Sequence, residues 1–133
     1  MDKKILVDMS MTLIHHGHIR LLEKASRLGK VILALTTDEE IKKFKGYDPE
    51  LSYENRKEVA NAIIYISEVI PSPWLIDQEF FEKTNADYLV HGSDNTNNID
   101  KEKLIIFERT EGISSTILRK RVVNTVVNKA FGK

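Results

Sequence analysis

The chain has 133 residues, 41% hydrophobic and 30% charged, a composition for one domain with a real core rather than a disordered segment. Twenty basic residues balance twenty acidic ones, so no global field draws the molecule to nucleic acid or a membrane, and any anion site has to be local. Cysteine is absent, which excludes disulfides and thiolate metal sites. The apolar run in MDKKILVDMS is too short for a signal peptide, and no stretch approaches the roughly 20 apolar residues of a membrane span, so a cytoplasmic location is expected.

Lys3 to Met9 reads as a short apolar strand. Residues 18 to 28 then place His18, Leu21, Leu22, Ala25 and Leu28 on one helical face, with Gly29 as the stop. VILALT (31–36) is a continuous β-branched and apolar run, the pattern of a strand buried on both faces. Strand, helix and strand joined by short links form a βαβ unit, whose two strands should be parallel with a right-handed crossover. Asp38 is expected to cap a short helix that runs into the basic stretch IKKFK (41–45), and Gly46 and Pro49 break the chain after it. Ser52 starts the next helix, with Val59, Ala62, Ile63 and Ile66 on its buried side.

EVIP (68–71) reads as a third strand, 76–85 as a helix carrying Phe80 and Phe81, DYLVHG (87–92) as a fourth strand and KLIIFE (103–108) as a fifth. A last helix starts near Ser114, with Leu118, Val122 and Val126 in line. Alternation of this kind predicts an α/β, Rossmann-like doubly wound fold: a five-stranded, mostly parallel sheet with helices on both faces, spanning residues 1–133 as one domain. Ligands bind such sheets outside the carboxyl ends of the strands, so segments 9–18, 36–46, 91–95 and 109–116 are expected to converge.

Three of the four histidines fall within H-H-G-H, at His15, His16 and His18. A cluster like this can be a solvated turn. It can also hold a metal, with His91 as a further ligand, but metal ligands usually come with a carboxylate or thiolate partner in helical or turn spacing and nothing like H-E-x-x-H is present, so no metal site is assigned. Its position supports a third reading. A strand exit followed by Gly17 and a helix start is a phosphate site, where free N–H groups and the helix dipole meet an anion. Two imidazole N–H donors there can stabilise charge that grows on a phosphorus as it becomes pentavalent. RTEGISST (109–116) has the same character, with a base before a turn glycine and hydroxyls at a helix start. Alone it would be an ordinary Ser cap, as KKFK would be a solvated helix face and Asp94 a turn residue.

LIHHGHIRLLEKASRLG resembles the H-x-G-H motif of the nucleotidyltransferase superfamily as its cytidylyltransferase branch carries it. TTDEE (36–40), KKFK (42–45), YENRK (53–57), HGSDN (91–95) and RTEGISSTILRKR (109–121) follow in the order of the glycerol-3-phosphate cytidylyltransferases, over Lys3 to about Val122. The resemblance implies an enzyme that joins CMP from CTP to a small alcohol phosphate, chiefly glycerol 3-phosphate, giving CDP-glycerol and pyrophosphate. His15, His18, Lys42, Lys45 and Arg109 would be catalytic. Ser10 and Met11 would lie beside the triphosphate, Asp94 in the segment holding the cytidine, and Arg109 with Gly112, Ile113, Ser114, Ser115 and Thr116 around the phosphates. Asp38, Lys45 and Arg56 would face the acceptor phosphate. It further implies Mg²⁺ accompanying CTP, and a homodimer that engages neither nucleic acid nor membrane.

Two departures stand out. Relatives usually read G-T-F-D-L-L before the first histidine, whereas this chain reads Met9-Ser10-Met11-Thr12-Leu13-Ile14, without the glycine or the aspartate. Ser93 replaces the first aspartate of a frequent D-D pair. Val7-Asp8-Met9-Ser10 resembles instead the cytidylyltransferases that act on a hydroxyalkylphosphonate, which makes a phosphonate or another polyol phosphate the alternative acceptor. An adenylyl-transferring relative and a catalytically silent nucleotide-binding module are the remaining readings.

Overall fold

The computed structural model describes residues 3–92 and 97–129. Within them lie β1 (Lys4–Met9), α1 (His16–Ser26), β2 (Lys30–Thr36), α2 (Asp38–Lys45), α3 (Tyr53–Asn61), β3 (Glu68–Ser72), α4 (Gln78–Lys83), β4 (Tyr88–Gly92), β5 (Leu104–Phe107) and α5 (Ser115–Val127). The sheet order is β3-β2-β1-β4-β5, and every strand pair in it is parallel. This is the doubly wound α/β fold expected from the alternating pattern, with a wholly parallel rather than mostly parallel sheet.

Period-two alternation along the strands divides the core. Ile5, Val7 and Met9 of β1 face α1 and α3, meeting Leu22, Ala25 and Ala60. Leu6 faces the other way and packs with Ile32, Ala34 and Leu89 against Ile76 and against Phe81 of α4. Both faces are therefore covered, which is why β1 and β2 read as unbroken apolar runs. From β1 the chain runs outward through β2 and β3, then returns to β4 on the other side of β1. The crossovers leave the carboxyl ends of β1 and β4 in opposite directions, so the crevice of a doubly wound sheet opens between them.

Several helix boundaries differ from the sequence reading, each for a local reason. The first helix begins at His16 rather than His18, because His15 acts as its cap. Thr37, not Asp38, caps α2, accepting a hydrogen bond from the Glu40 N–H at 3.4 Å. Ser52 caps α3 as expected, but that helix stops at Asn61 and buries Arg56 and Ala60, while Val59 and Ala62 face outward. The helix read over 76–85 is confined to Gln78–Lys83, with Asp77 as its cap. Leu28 lies beyond the end of α1 and is exposed. In α5, Val122 and Val126 are in line but more than half exposed, at 57% and 58%.

Candidate active site

A cleft of roughly 320 Å³ opens at the carboxyl end of the sheet, and all four expected segments reach it. Met9, Ser10, His15 and His18 come from the β1–α1 turn, Thr36 and Lys45 from β2 and the end of α2, His91 and Gly92 from β4, and Arg109, Ile113 and Ser114 from the β5–α5 connection. Asp94, expected to hold the cytidine, lies outside the described residues.

The two histidines are set by a capping box built from imidazoles. Nδ1 of His15 accepts the Gly17 N–H at 3.0 Å, and Nδ1 of His18 accepts the His15 N–H at 3.1 Å. Each Nδ1 is thus an acceptor, so the ring proton of each neutral imidazole sits on Nε2. The rings pack with centroids 3.9 Å apart. That packing requires Gly17: a Cβ there would stand 2.8 Å from His15 Cε1 and 2.9 Å from His15 Nδ1.

Electrostatics favour the same neutral state. Burial, then His15 and Arg109, lower the His18 pKa from 6.5 to about 3. The His15 pKa is lowered as well, by burial first and then by His16 and Arg109. A second proton on either ring would also break a capping bond, since it would have to go onto Nδ1. The site therefore presents two neutral rings, each with its Nε2–H as the donor not used by the backbone.

Around them the cleft is basic. Arg20 and Lys24, one turn apart on α1, line it with Arg109 and Lys45. Lys45 Nζ lies 5.6 Å from the ring centroid of Trp74, which stacks on Phe44 at 5.6 Å and 14°. Gly112 takes φ 75°, a left-handed conformation that suits glycine, just before Ser114 caps α5 by accepting the Ile117 N–H at 3.0 Å. At the junction of β1 and β4, Asp8 Oδ1 meets His91 Nδ1 at 2.5 Å and Asp8 Oδ2 accepts from Asn97 at 3.3 Å. Among the described residues no three His, Cys, Asp or Glu side chains form a group able to hold a metal ion.

Other expected site residues lie elsewhere. Lys42 is exposed and paired with Asp48 at 3.8 Å, away from the cleft lining. Met11 is a core residue, 2% exposed, with φ 50°. Ser115 donates to the Leu13 carbonyl at 3.0 Å, and neither it nor Thr116 lines the cleft. Asp38 and Arg56, expected at the acceptor phosphate, bind each other at 2.7 Å. Arg56 is 1% exposed and also donates to the carbonyls of Ser10, Thr36 and Leu51, so it fastens loops instead of presenting its charge to the cleft. The sequence reading missed Arg20, Lys24 and Trp74. The carboxyl-end rule, applied also to β3, would have brought in Trp74, and the i, i+4 spacing of Arg20 and Lys24 from the helix start would have pointed to those two.

The switch point of the parallel sheet thus gathers two neutral imidazoles, several bases and a capped helix start in one cleft, the arrangement of an anion-binding site. Residues 10–121 match the family described as Cytidylyltransferase-like, and the chain belongs to it. It is 36% identical to the glycerol-3-phosphate cytidylyltransferase of Staphylococcus aureus, over 90% of this chain and 95% of that protein. It is 32% identical to the ethanolamine-phosphate cytidylyltransferase of Mus musculus, over 96% of this chain but only 34% of the relative. Among solved structures, the lipopolysaccharide core biosynthesis protein of Thermoplasma volcanium shares the fold with a TM-score of 0.69 at 13% identity, covering 83% of this chain and 99% of that one. No described helix is long and apolar enough to cross a membrane.

Proposed function

We propose that the protein transfers CMP from CTP to glycerol 3-phosphate, releasing pyrophosphate and forming CDP-glycerol. The observation that carries the transfer chemistry is the pair of neutral imidazoles, each with its proton placed on Nε2 by a backbone contact on Nδ1. The acceptor is supported by the near full-length match to a glycerol-3-phosphate enzyme.

In this reading an acceptor phosphate oxygen attacks the α-phosphorus of CTP in line, the new P–O bond forms, and the bond to the β-phosphate oxygen breaks. The nucleophile is already ionised at neutral pH, so no general base is needed. His15 and His18 donate their Nε2–H to the α-phosphate, where charge concentrates, and Arg109, Lys45 and the start of α5 neutralise the leaving pyrophosphate. Neutral donors suit this task because they need not lose a proton or be desolvated as ions. Mg²⁺ would arrive with CTP and neutralise triphosphate charge; among the described residues no group of three carboxylates or histidines forms a cage, so phosphate oxygens and water would supply most of its ligands.

A second acceptor reading rests on Asp8 and His91, which add a carboxylate to the lining of a basic cleft. A carboxylate there suits the ammonium of ethanolamine phosphate, and equally the hydroxyls of glycerol 3-phosphate or of a hydroxyalkylphosphonate. We further infer a homodimer, since the exposed valines of α5 gain from a second copy, and a cytoplasmic location, where CTP is made.

Pyrophosphate release with CTP and a panel of glycerol 3-phosphate, ethanolamine phosphate and hydroxyethylphosphonate tests the reaction and ranks the acceptors. Release that requires CTP and is fastest with glycerol 3-phosphate is expected. CTP binding without release on any acceptor would leave a silent binding module, and faster release with ATP would overturn the nucleotide assignment.

A further inference from the structure

The loop Ser10–Ile14 delivers His15 to the cleft, and it turns at a costly point. Met11 has φ 50°, a left-handed conformation that a residue with a side chain keeps only when its surroundings fix it. Two arginines flank that turn. From inside, Arg56 donates to the carbonyl of Ser10 at 2.6 Å and to that of Leu51 at 3.0 Å. From outside, Arg119 of α5 donates one Nη2–H to the hydroxyl of Thr12 at 2.6 Å. Its Nε–H and other Nη2–H go to the two carboxylate oxygens of Glu50 at 2.5 and 2.8 Å, and its guanidinium lies 5.4 Å from the Tyr47 ring centroid.

The two arginines therefore hold residues on either side of Met11, and also two consecutive residues of the connector that follows α2. One helical turn before Arg119, Ser115 adds the bond to the Leu13 carbonyl. A lone surface ion pair would contribute little to stability. Arg119 differs in spending three donors on two separate loops, a geometry that needs the planar guanidinium fork and that a lysine cannot reproduce.

We propose that Arg119 is a positioning residue for nucleotidyl transfer: by binding Thr12 and Glu50 together, it fixes the histidine loop in register with the connector behind Lys45. The imidazole donors and the lysine then address the same phosphate chain. This rests on the transfer reading given above, and its test is chosen so that the two can fail separately.

The first arm measures kcat and KM by pyrophosphate release for Arg119→Lys, Arg119→Gln, Glu50→Gln and the Arg119→Gln/Glu50→Gln double variant. Each single variant is expected to lose about tenfold to a hundredfold in kcat with a smaller change in KM for CTP, since displacement acts on the aligned reacting geometry. The double variant should fall no further than Arg119→Gln, because both changes open one clamp. Lysine should not restore the rate.

The second arm follows the His18 imidazole by NMR in the ligand-free protein. Its titration should move toward the ordinary histidine range in Arg119→Gln as the loop relaxes; the depression arises from burial, His15 and Arg109, not from the charge of Arg119 itself. Wild-type kcat in Arg119→Gln, additive losses in the double variant, or an unmoved His18 titration each overturns the proposal. If wild-type protein releases no pyrophosphate with any acceptor, the transfer reading fails, and the His18 titration alone decides whether the clamp holds the loop.

Discussion

Lowering the pH from 7 to 5 should weaken the fold through His18 before it alters the charge state of that ring in the native cleft. The His18 pKa falls from 6.5 to about 3 on folding, chiefly through burial. Its contribution to stability is fully present above pH 6.5 and is lost as the pH falls toward 3, because over that interval the unfolded chain binds a proton that the native ring refuses. Each pH unit below 6.5 removes about 1.4 kcal/mol, so the step from pH 7 to 5 costs about 2 kcal/mol, a sizeable share of the ~5–15 kcal/mol typical of a domain. His18→Gln is the matched control. It stands at the third helical position, where a glutamine carbonyl can accept the His15 N–H and preserve the capping box while removing the titration. Urea unfolding at pH 7, 6 and 5 should show wild-type protein losing about 2 kcal/mol more than His18→Gln across that range. Parallel pH dependences for the two proteins would refute the depressed pKa of His18 and the burial that accounts for it.

Three further outcomes follow from the same geometry. His15→Asn keeps a good cap for α1, so its melting temperature should stay within a few degrees of wild type while kcat falls about a hundredfold or more for the lost Nε2–H donor; a near wild-type rate would remove His15 from catalysis. Gly17→Ala puts a methyl 2.8 Å from His15 Cε1, forcing the ring aside by roughly an ångström, and should cost about a hundredfold in kcat; an unaffected rate would mean the ring position is not what aligns the phosphate. Trp74 is the single tryptophan and lines the cleft beneath Lys45, so its emission should change saturably as CTP is added. Thermal protection by CTP with constant emission would place the nucleotide away from that wall.

The fold was legible where one physical signal dominates. VILALT can only be a strand covered on both faces, and alternation with helices then makes the neighbouring strands parallel. The carboxyl-end rule then brings the turn after β1, the end of α2, the end of β4 and the start of α5 to one cleft. Legibility ended where a side chain takes an unusual partner. Imidazoles are not customary caps, so the first helix was read two residues late. The resemblance puts Arg56 at the acceptor phosphate, yet it is among the most buried side chains, its guanidinium satisfied by three carbonyls and Asp38. Lys42 and Lys45 are equivalent in sequence, but they lie three residues apart on α2, and only Lys45 lies over Trp74 at the cleft.

Folding and chemistry meet in the H-H-G-H turn. The bonds that start α1 occupy Nδ1 of both rings, so helix initiation chooses the tautomer. Burial, then the neighbouring imidazole and the charge of Arg109, keeps each ring from taking a second proton. A serine or aspartate could cap the same helix, but it would leave no N–H pointing away from the backbone for a phosphate oxygen. Each histidine here accepts from the backbone with Nδ1 and leaves Nε2–H, on the far side of the ring, to donate to an anion while remaining neutral. The local structure of the turn therefore accounts for both the position of the donors and their charge, and a cleft already rich in permanent cations gains two donors without adding to their mutual repulsion.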